Sequence, residues 1–217
     1  QEIVIDVGRD TSVHAVENAQ DNYDKKICLF SQKELEQENP GKEDIYPVGT
    51  LCEVRHIRRF DNFLRVKFRG IKRVKLNNWI NGSLSDLAEV EILESEKQDA
   101  VEEEALIRMI ADELDRMQGQ DRFVTKEIVM EISKGMGGEF LSDKAVQGLP
   151  LDIERKQQYL ETLGVNDRLM MLLQDMAKEK KMSEVEQQIN ETVKERIDQG
   201  QKDYYLREKM NVIREEL

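Results

Sequence analysis

At the start of the chain Ile3, Ile5 and Val7 alternate with polar residues, a period of two that predicts a half-buried strand. Gly8 ends it, and Asp10 is placed to cap a short helix whose apolar face is Val13, Val16 and Ala19. Ile27–Phe30 predicts a second short strand, and Glu34–Asp44, with its Asn39-Pro40-Gly41 turn, a polar loop. Leu51–Phe60 and Phe63–Leu76, joined at Asp61-Asn62, predict a hairpin, and Leu87–Leu93 a last strand. Within the hairpin Leu64, Val66 and Phe68 share one face and Arg65, Lys67 and Arg69 the other.

After Leu93 the period changes to that of a helix. Lys97–Met117 has apolar residues at Ala100, Val101, Ala105, Leu106, Met109, Ile110 and Leu114, with Gly119 as a stop. Phe123–Lys134 repeats the pattern and ends at Gly135; Glu139–Gln147 follows Gly137-Gly138. Pro150 breaks the chain, Asp152 caps Ile153–Leu163, and Gly164 terminates that helix. From Asn166 no proline occurs, and Gly200 is the one glycine. Met182, Val185, Ile189, Val193 and Ile197, then Leu206, Met210, Ile213 and Leu217, form one narrow stripe interrupted at Gly200–Asp203. Its 36 residues would span roughly 54 Å as a helix, so the stripe calls for a second copy or a neighbouring domain to cover it.

Composition adds a contrast between the two parts of the 217-residue chain. Residues 1–93 carry 14 Lys+Arg and 16 Asp+Glu, a balance of −2; the rest of the −12 total, ten units, lies on the helical part. This acid excess argues against a dedicated nucleic-acid binder, which needs clustered cations. No apolar run approaches the ~20 residues of a membrane span, and no N-terminal segment resembles a signal peptide. The chain starts at Gln1 and breaks off in a helical stretch, and reads as a piece of something longer. Cys28 and Cys52 read as reduced, partly buried thiols of a cytoplasmic protein. Cys52 and His56 are evenly spaced and would share one strand face, but nothing completes a metal shell.

Chemistry-bearing motifs are missing. There is no phosphate-cradling P-loop, no Gly-x-Ser-x-Gly elbow and no His-Glu-x-x-His helix. Ser12 and His14, two apart on a helix, point away from each other. These absences argue against an autonomous enzyme and leave no catalytic, cofactor or metal residue to name. A basic stripe of nine residues, Arg55 to Lys75, interleaves with Phe60, Phe63 and Phe68 in the manner of an RNA-binding sheet. The alternation turns Phe68 inward and leaves no aromatic platform outside, so a solvated or protein-contacting face is the preferred reading.

Several segments resemble the N-terminal region of Lon, the ATP-dependent serine protease of the AAA+ class. They are Asp6-Val7-Gly8-Arg9-x-x-Ser12-Val13-x-Ala15-x-Glu17-x-Ala19, Asp44-Ile45-Tyr46-x-Val48-Gly49-Thr50 and a Gly-x-x-Arg turn at Gly70–Arg73. Leu149-Pro150-Leu151, Lys156-Gln157, Leu160-Glu161 and Arg168-Leu169 follow in the family's order. Most specific is Tyr204-Tyr205-Leu206-Arg207-Glu208-Lys209-Met210 through Glu216-Leu217. The resemblance implies an α+β fold in three parts: a PUA-like β-rich subdomain over 1–93, a helical bundle over 94–165 and a long C-terminal helix over 166–217. It also implies that the first strand of the β-rich part is missing, and that Asn77–Ser83 and the Gly135–Gly138 glycines depart from the family pattern.

By the same resemblance this region takes part in recognising unfolded, damaged or tagged protein substrates and in assembling a homohexamer. The P-loop with its ATP and Mg, and the Ser-Lys dyad, would lie beyond Leu217. Contacts with substrate or sister subunits are expected at Tyr204, Tyr205, Leu206, Met210, Ile213, Met176 and Met182, with no membrane or nucleic-acid partner. The alternative is a stand-alone β-rich protein-binding module with a coiled-coil dimerisation helix; a regulatory RNA-binding protein comes third.

Overall fold

In the computed structural model the described residues are 2–34, 36–37, 40–82, 84–117 and 126–216. Features expected at Asn39, Ser83, Gly119, Phe123 and Leu217 lie outside them. The chain divides into two compact units, residues 1–172 and 173–217.

The first unit opens with five antiparallel strands, β1 (Glu2–Val7), β2 (Lys26–Leu29), β3 (Val48–Arg59), β4 (Leu64–Ile80) and β5 (Leu87–Leu93), with helix α1 (Asp10–Asn22) between the first two. Strand order is β1-β4-β3-β2, and β5 also pairs with β4. β4 is long enough, at 17 residues, to take two partners end to end on one edge. β1 covers Leu64–Arg69 and β5 covers Arg73–Ile80, while β3 lies along the other edge. Leu64, Val66 and Phe68 turn inward and bury with Val16, Cys52 and Val54; Ile5, Val13, Ile27 and Leu29 pack around them. Burying such side chains supplies roughly 1.5–3 kcal/mol each.

Three details differ from the expectations above. α1 is preceded by Arg9 without a side-chain cap, and Asp10 sits inside the first turn, where its charge favours the helix N-terminus. Gly70–Arg73 is no turn, because it lies within β4. A register shift between Val54 and His56 inserts Arg55 as a bulge in β3. Side-chain parity reverses there: Cys52 and Val54 are buried, His56 is exposed, and Ile57 returns to the core. Cys52 and His56 therefore face opposite sides despite their even spacing.

The helical part of this unit comprises α2 (Ala100–Met117), α3 (Lys126–Ser133), α4 (Gly138–Gly148), α5 (Ile153–Glu161) and the start of α6 (Val165–Glu216). α2 begins at Ala100 because the Asp99 carboxylate accepts the amides of Val101 and Glu102 at 2.8 and 2.9 Å. Asp152 caps α5 as expected, accepting from the Arg155 amide at 2.7 Å. After α3, Gly135 takes a φ of +90°, a left-handed conformation that glycine adopts without strain. Leu106, Ile110, Leu114, Ile128, Leu141, Leu169 and Leu172 are buried, whereas Ala100, Val101, Ala105 and Met109, apolar in sequence, stand on the exposed side of α2.

Buried hydrogen bonds join sheet and helices within this unit. The Gln157 amide donates to the Val48 carbonyl at 2.9 Å, and Glu96 pairs backbone to backbone with Leu163 and Val165. Arg168, wholly buried, donates to the carbonyls of Thr162 and Leu163 and to the hydroxyls of Ser142 and Ser95. The second unit is the remainder of α6, which runs helical through Gly200 and Asp203, where the apolar stripe is interrupted.

Candidate protein-binding surfaces

The basic stripe is largely neutralised in place. Arg65 makes a two-pronged bond to Asp6 at 2.7 Å, Lys67 reaches Glu2 at 2.6 Å, and Arg55 reaches Glu53 at 3.0 Å. Arg59 pairs with Glu17, Lys72 with Glu94, and Arg73 with Asp143 and Glu139. Six of the nine cations thus hold carboxylates that a phosphate backbone would have to displace. The Arg65 guanidinium holds the Asp6 carboxyl below the usual carboxylate range, chiefly through its hydrogen bond. An outer aromatic pair does exist, contrary to the alternation argument: Phe60 and Phe63 stack at 4.7 Å between centroids. Both come from the hairpin end, where strand alternation no longer applies, and Arg65 lies 5.4 and 5.6 Å from the two ring centres.

The His14 Nδ1–H donates to the Asp10 carbonyl at 2.7 Å, which holds the ring along its own helix. Cys28 and Cys52 are free thiols on neighbouring strands. Burial pushes both up, Cys52 to about 11 with the nearby Cys28 adding to the rise. Such thiols are poor nucleophiles near neutral pH.

Two clefts indent the first unit. One, about 820 Å³, lies between α1 and the sheet and is lined by Ile5, Val16, Leu29, Phe68, Leu76 and Trp79 among others. The indole N–H of Trp79 is buried there with no hydrogen-bond partner among the described residues. The other, about 880 Å³, opens where β4 meets α3, α4 and α5. Ile71, Leu93, Met136, Phe140 and Leu160 supply its apolar wall, and nine charged side chains surround them. Both fall within the ~300–1,000 Å³ range of ligand-binding pockets.

The expected contact residues lie on α6. Met176 is 1% exposed, whereas Met182, Tyr204, Tyr205, Leu206, Met210 and Ile213 are each at least half exposed. Along the same stripe Ile189 and Ile197 are also more than half exposed, and Val185 and Val193 are exposed to 43% and 48%. Sequence reasoning missed Phe140, which is 71% exposed. The signal was present: in α4 the buried positions are Gly138, Leu141, Ser142, Ala145 and Val146, and the 3.6-residue period sets Phe140 on the opposite face. It also missed Arg73 and Arg168 as buried cations, because charge alone marks a residue as solvated.

This fold is similar to that of solved Lon N-terminal domains. The N-terminal domain of Mycobacterium avium complex Lon protease superposes with a TM-score of 0.60 over 81% of this chain and 90% of that one, at 20% identity. A Lon N-terminal domain protein from Xanthomonas campestris gives 0.52 over 80% and 88%, at 16% identity. The family model of the ATP-dependent protease La (LON) substrate-binding domain matches residues 3–178. The chain belongs to that family.

Among curated relatives, Lon protease of Fervidobacterium nodosum is 35% identical over 97% of this chain and 26% of its own length. Lon protease 1 of Bacillus subtilis is 30% identical over 98% and 28%, and Lon protease of Escherichia coli (strain K12) 31% over 97% and 27%. The chain thus spans about a quarter of the length of the relatives it matches. No described helix is long and apolar enough to cross a membrane.

Proposed function

We propose that this chain is the substrate-recognition region of an ATP-dependent Lon protease, binding unfolded or damaged polypeptides without chemistry of its own. The observation that carries the reading is the amount of large apolar side chain the first unit leaves in water. Besides Phe140, Leu84, Val101, Met109 and Met130 are all more than half exposed in a unit that already has a well-buried core. Scattered exposed apolar residues are ordinary, but several unbranched Met and aromatic side chains can re-pack against many partners. Each contact removes a modest area from water at about 25 cal/mol per Å², giving loose specificity that suits varied clients.

In this reading ATP, Mg and a Ser-Lys dyad belong to parts of the parent protease other than residues 1–217, and the protein works in the cytoplasm as a homohexamer. The exposed stripe through Leu206, Met210 and Ile213, with Tyr204 and Tyr205, meets sister subunits. The decisive test is photo-cross-linking of the chain to reduced, unfolded casein and to a natively folded control. Cross-links to the unfolded client alone, mapping to residues 1–172, are expected. Equal labelling by the folded control, or none by casein, refutes the reading.

A further inference from the structure

Two buried cations meet where the sheet joins the helices. Arg73 comes from β4 and is 9% exposed; Arg168 comes from the start of α6 and is wholly buried. Two carboxylates one turn apart on α4 serve both. Glu139 and Asp143 pair with Arg73. Glu139 also accepts from the Ser95 hydroxyl at 2.6 Å, and that hydroxyl accepts from Arg168 at 3.3 Å. Through space the same two carboxylates favour the Arg168 charge, while the like charge of Arg73 opposes it. The cluster balances two positive and two negative groups drawn from β4, α4 and α6.

The apolar packing divides differently. The core beneath the sheet, Val16, Cys52, Val54, Leu64, Val66 and Phe68, is drawn from the strands and α1 alone. α4 is rooted among the helices, with Leu141 and Ala145 buried and Lys144 paired to Glu131 of α3. The junction between the two carries polar contacts: the Arg73 pairs, the Gln157–Val48 hydrogen bond and the backbone pairing of Glu96.

Burial within the cluster is uneven. Both arginines are shut away from water, whereas the side chains of Glu139 and Asp143 are 47% and 36% exposed. A solvated carboxylate tolerates the loss of its partner; a buried guanidinium does not. Arg73 also keeps its Nε buried without a hydrogen-bond partner among the described residues, so its position already carries a cost.

We infer that this cluster is a charge latch that docks the sheet onto the helical part, released by loss of the α4 carboxylates rather than by loss of the sheet's arginine. With Glu139 and Asp143 charged, Arg73 seats beside Arg168. With both neutral, two buried cations repel each other across the junction, and the sheet undocks as an intact piece because its core lies wholly on its own side. The latch is a conformational device independent of what the region binds.

Hydrogen exchange in increasing urea, read by mass spectrometry on the full chain, tests it. The sheet is followed over residues 64–69 and the helical part over 106–114. In the parent both stretches are expected to lose protection together, their protection factors agreeing within about threefold, as one cooperative unit does. Glu139→Gln with Asp143→Asn keeps the side-chain shapes and should part the two by more than about tenfold, since undocked pieces open separately. Arg73→Met alone should leave them together. Added to the carboxylate pair, it should bring them back within about threefold by removing one of the two repelling cations. If the carboxylate variant loses protection equally in both stretches, it is merely destabilised and the latch is overturned. No change in that variant, or a separation that Arg73→Met fails to reverse, overturns it as well.

Discussion

Arg168 offers the sharpest test of how sheet and helices are held together in the first unit. It is wholly buried, with no carboxylate in direct contact among the described residues; its fork serves two backbone carbonyls, Thr162 at 2.8 Å and Leu163 at 3.3 Å, and two serine hydroxyls at 3.3 Å. Burial first, and the like charge of Arg73 second, hold its pKa below the ordinary guanidinium value. Arg168→Ala orphans the Thr162 carbonyl just past α5, at about 1–3 kcal/mol, takes one of its two donors from the Leu163 carbonyl, which keeps the Glu96 amide, and leaves a void. Relief of the buried charge offsets part of that, giving a net loss of about 3–5 kcal/mol, a large share of a typical 5–15 kcal/mol.

Arg168→Met fills the space and needs no solvation, so it should lose only about 1–2 kcal/mol. Trp79, the one tryptophan, lies in β4 and reports on this unit without signal from the rest of α6. With a urea m-value of about 1–3 kcal/mol/M, the Ala variant should unfold roughly 1–3 M earlier and the Met variant between it and the parent. An Ala midpoint within about 0.3 M of the parent at unchanged m would refute this account of the junction.

Four other outcomes follow from the same geometry. Gly49→Ala would place a Cβ 2.4 Å from the Leu29 carbonyl and 2.5 Å from the Phe30 ring. It should destabilise the sheet by about 1–3 kcal/mol in the same urea assay. Gly200→Ala meets nothing within 4 Å in mid-helix and should stabilise α6 by about 0.5–1 kcal/mol, seen as a higher helix melting temperature by circular dichroism. Because Cys52 is raised from 9.0 to about 11, it favours folding below pH 9. That contribution, of order 2–3 kcal/mol, should fade as pH climbs from 9 to 11, and Cys52→Ala should flatten the slope of stability against pH in that window. On the proposal that the α6 stripe meets sister subunits, Leu206→Asp with Met210→Asp should lower the sedimentation coefficient to that of a single chain while leaving the Trp79 unfolding curve unchanged.

Much of this molecule was legible along the chain because its elements bury one face. The alternation at Leu64, Val66 and Phe68, and the helical period through Leu106, Ile110 and Leu114, state which side meets the core before any partner is known. The ordered motifs from Asp6 to Met210 likewise carried the family. The long exposed stripe of α6 was legible for the opposite reason, since its apolar positions recur with nothing nearby in sequence to cover them.

What the sequence could not decide depends on residues brought together from far apart. The bulge at Arg55, which turns His56 away from Cys52, is a matter of how β3 pairs with β4 and leaves no local mark. Asp99 rather than the helical period sets where α2 begins. The cleft requires three helices to close around β4, uniting Ile71, Lys134, Phe140 and Lys156 from separate elements. Periodicity is a property of neighbours along the chain and determines faces. Only packing decides which faces meet and which charges find partners there.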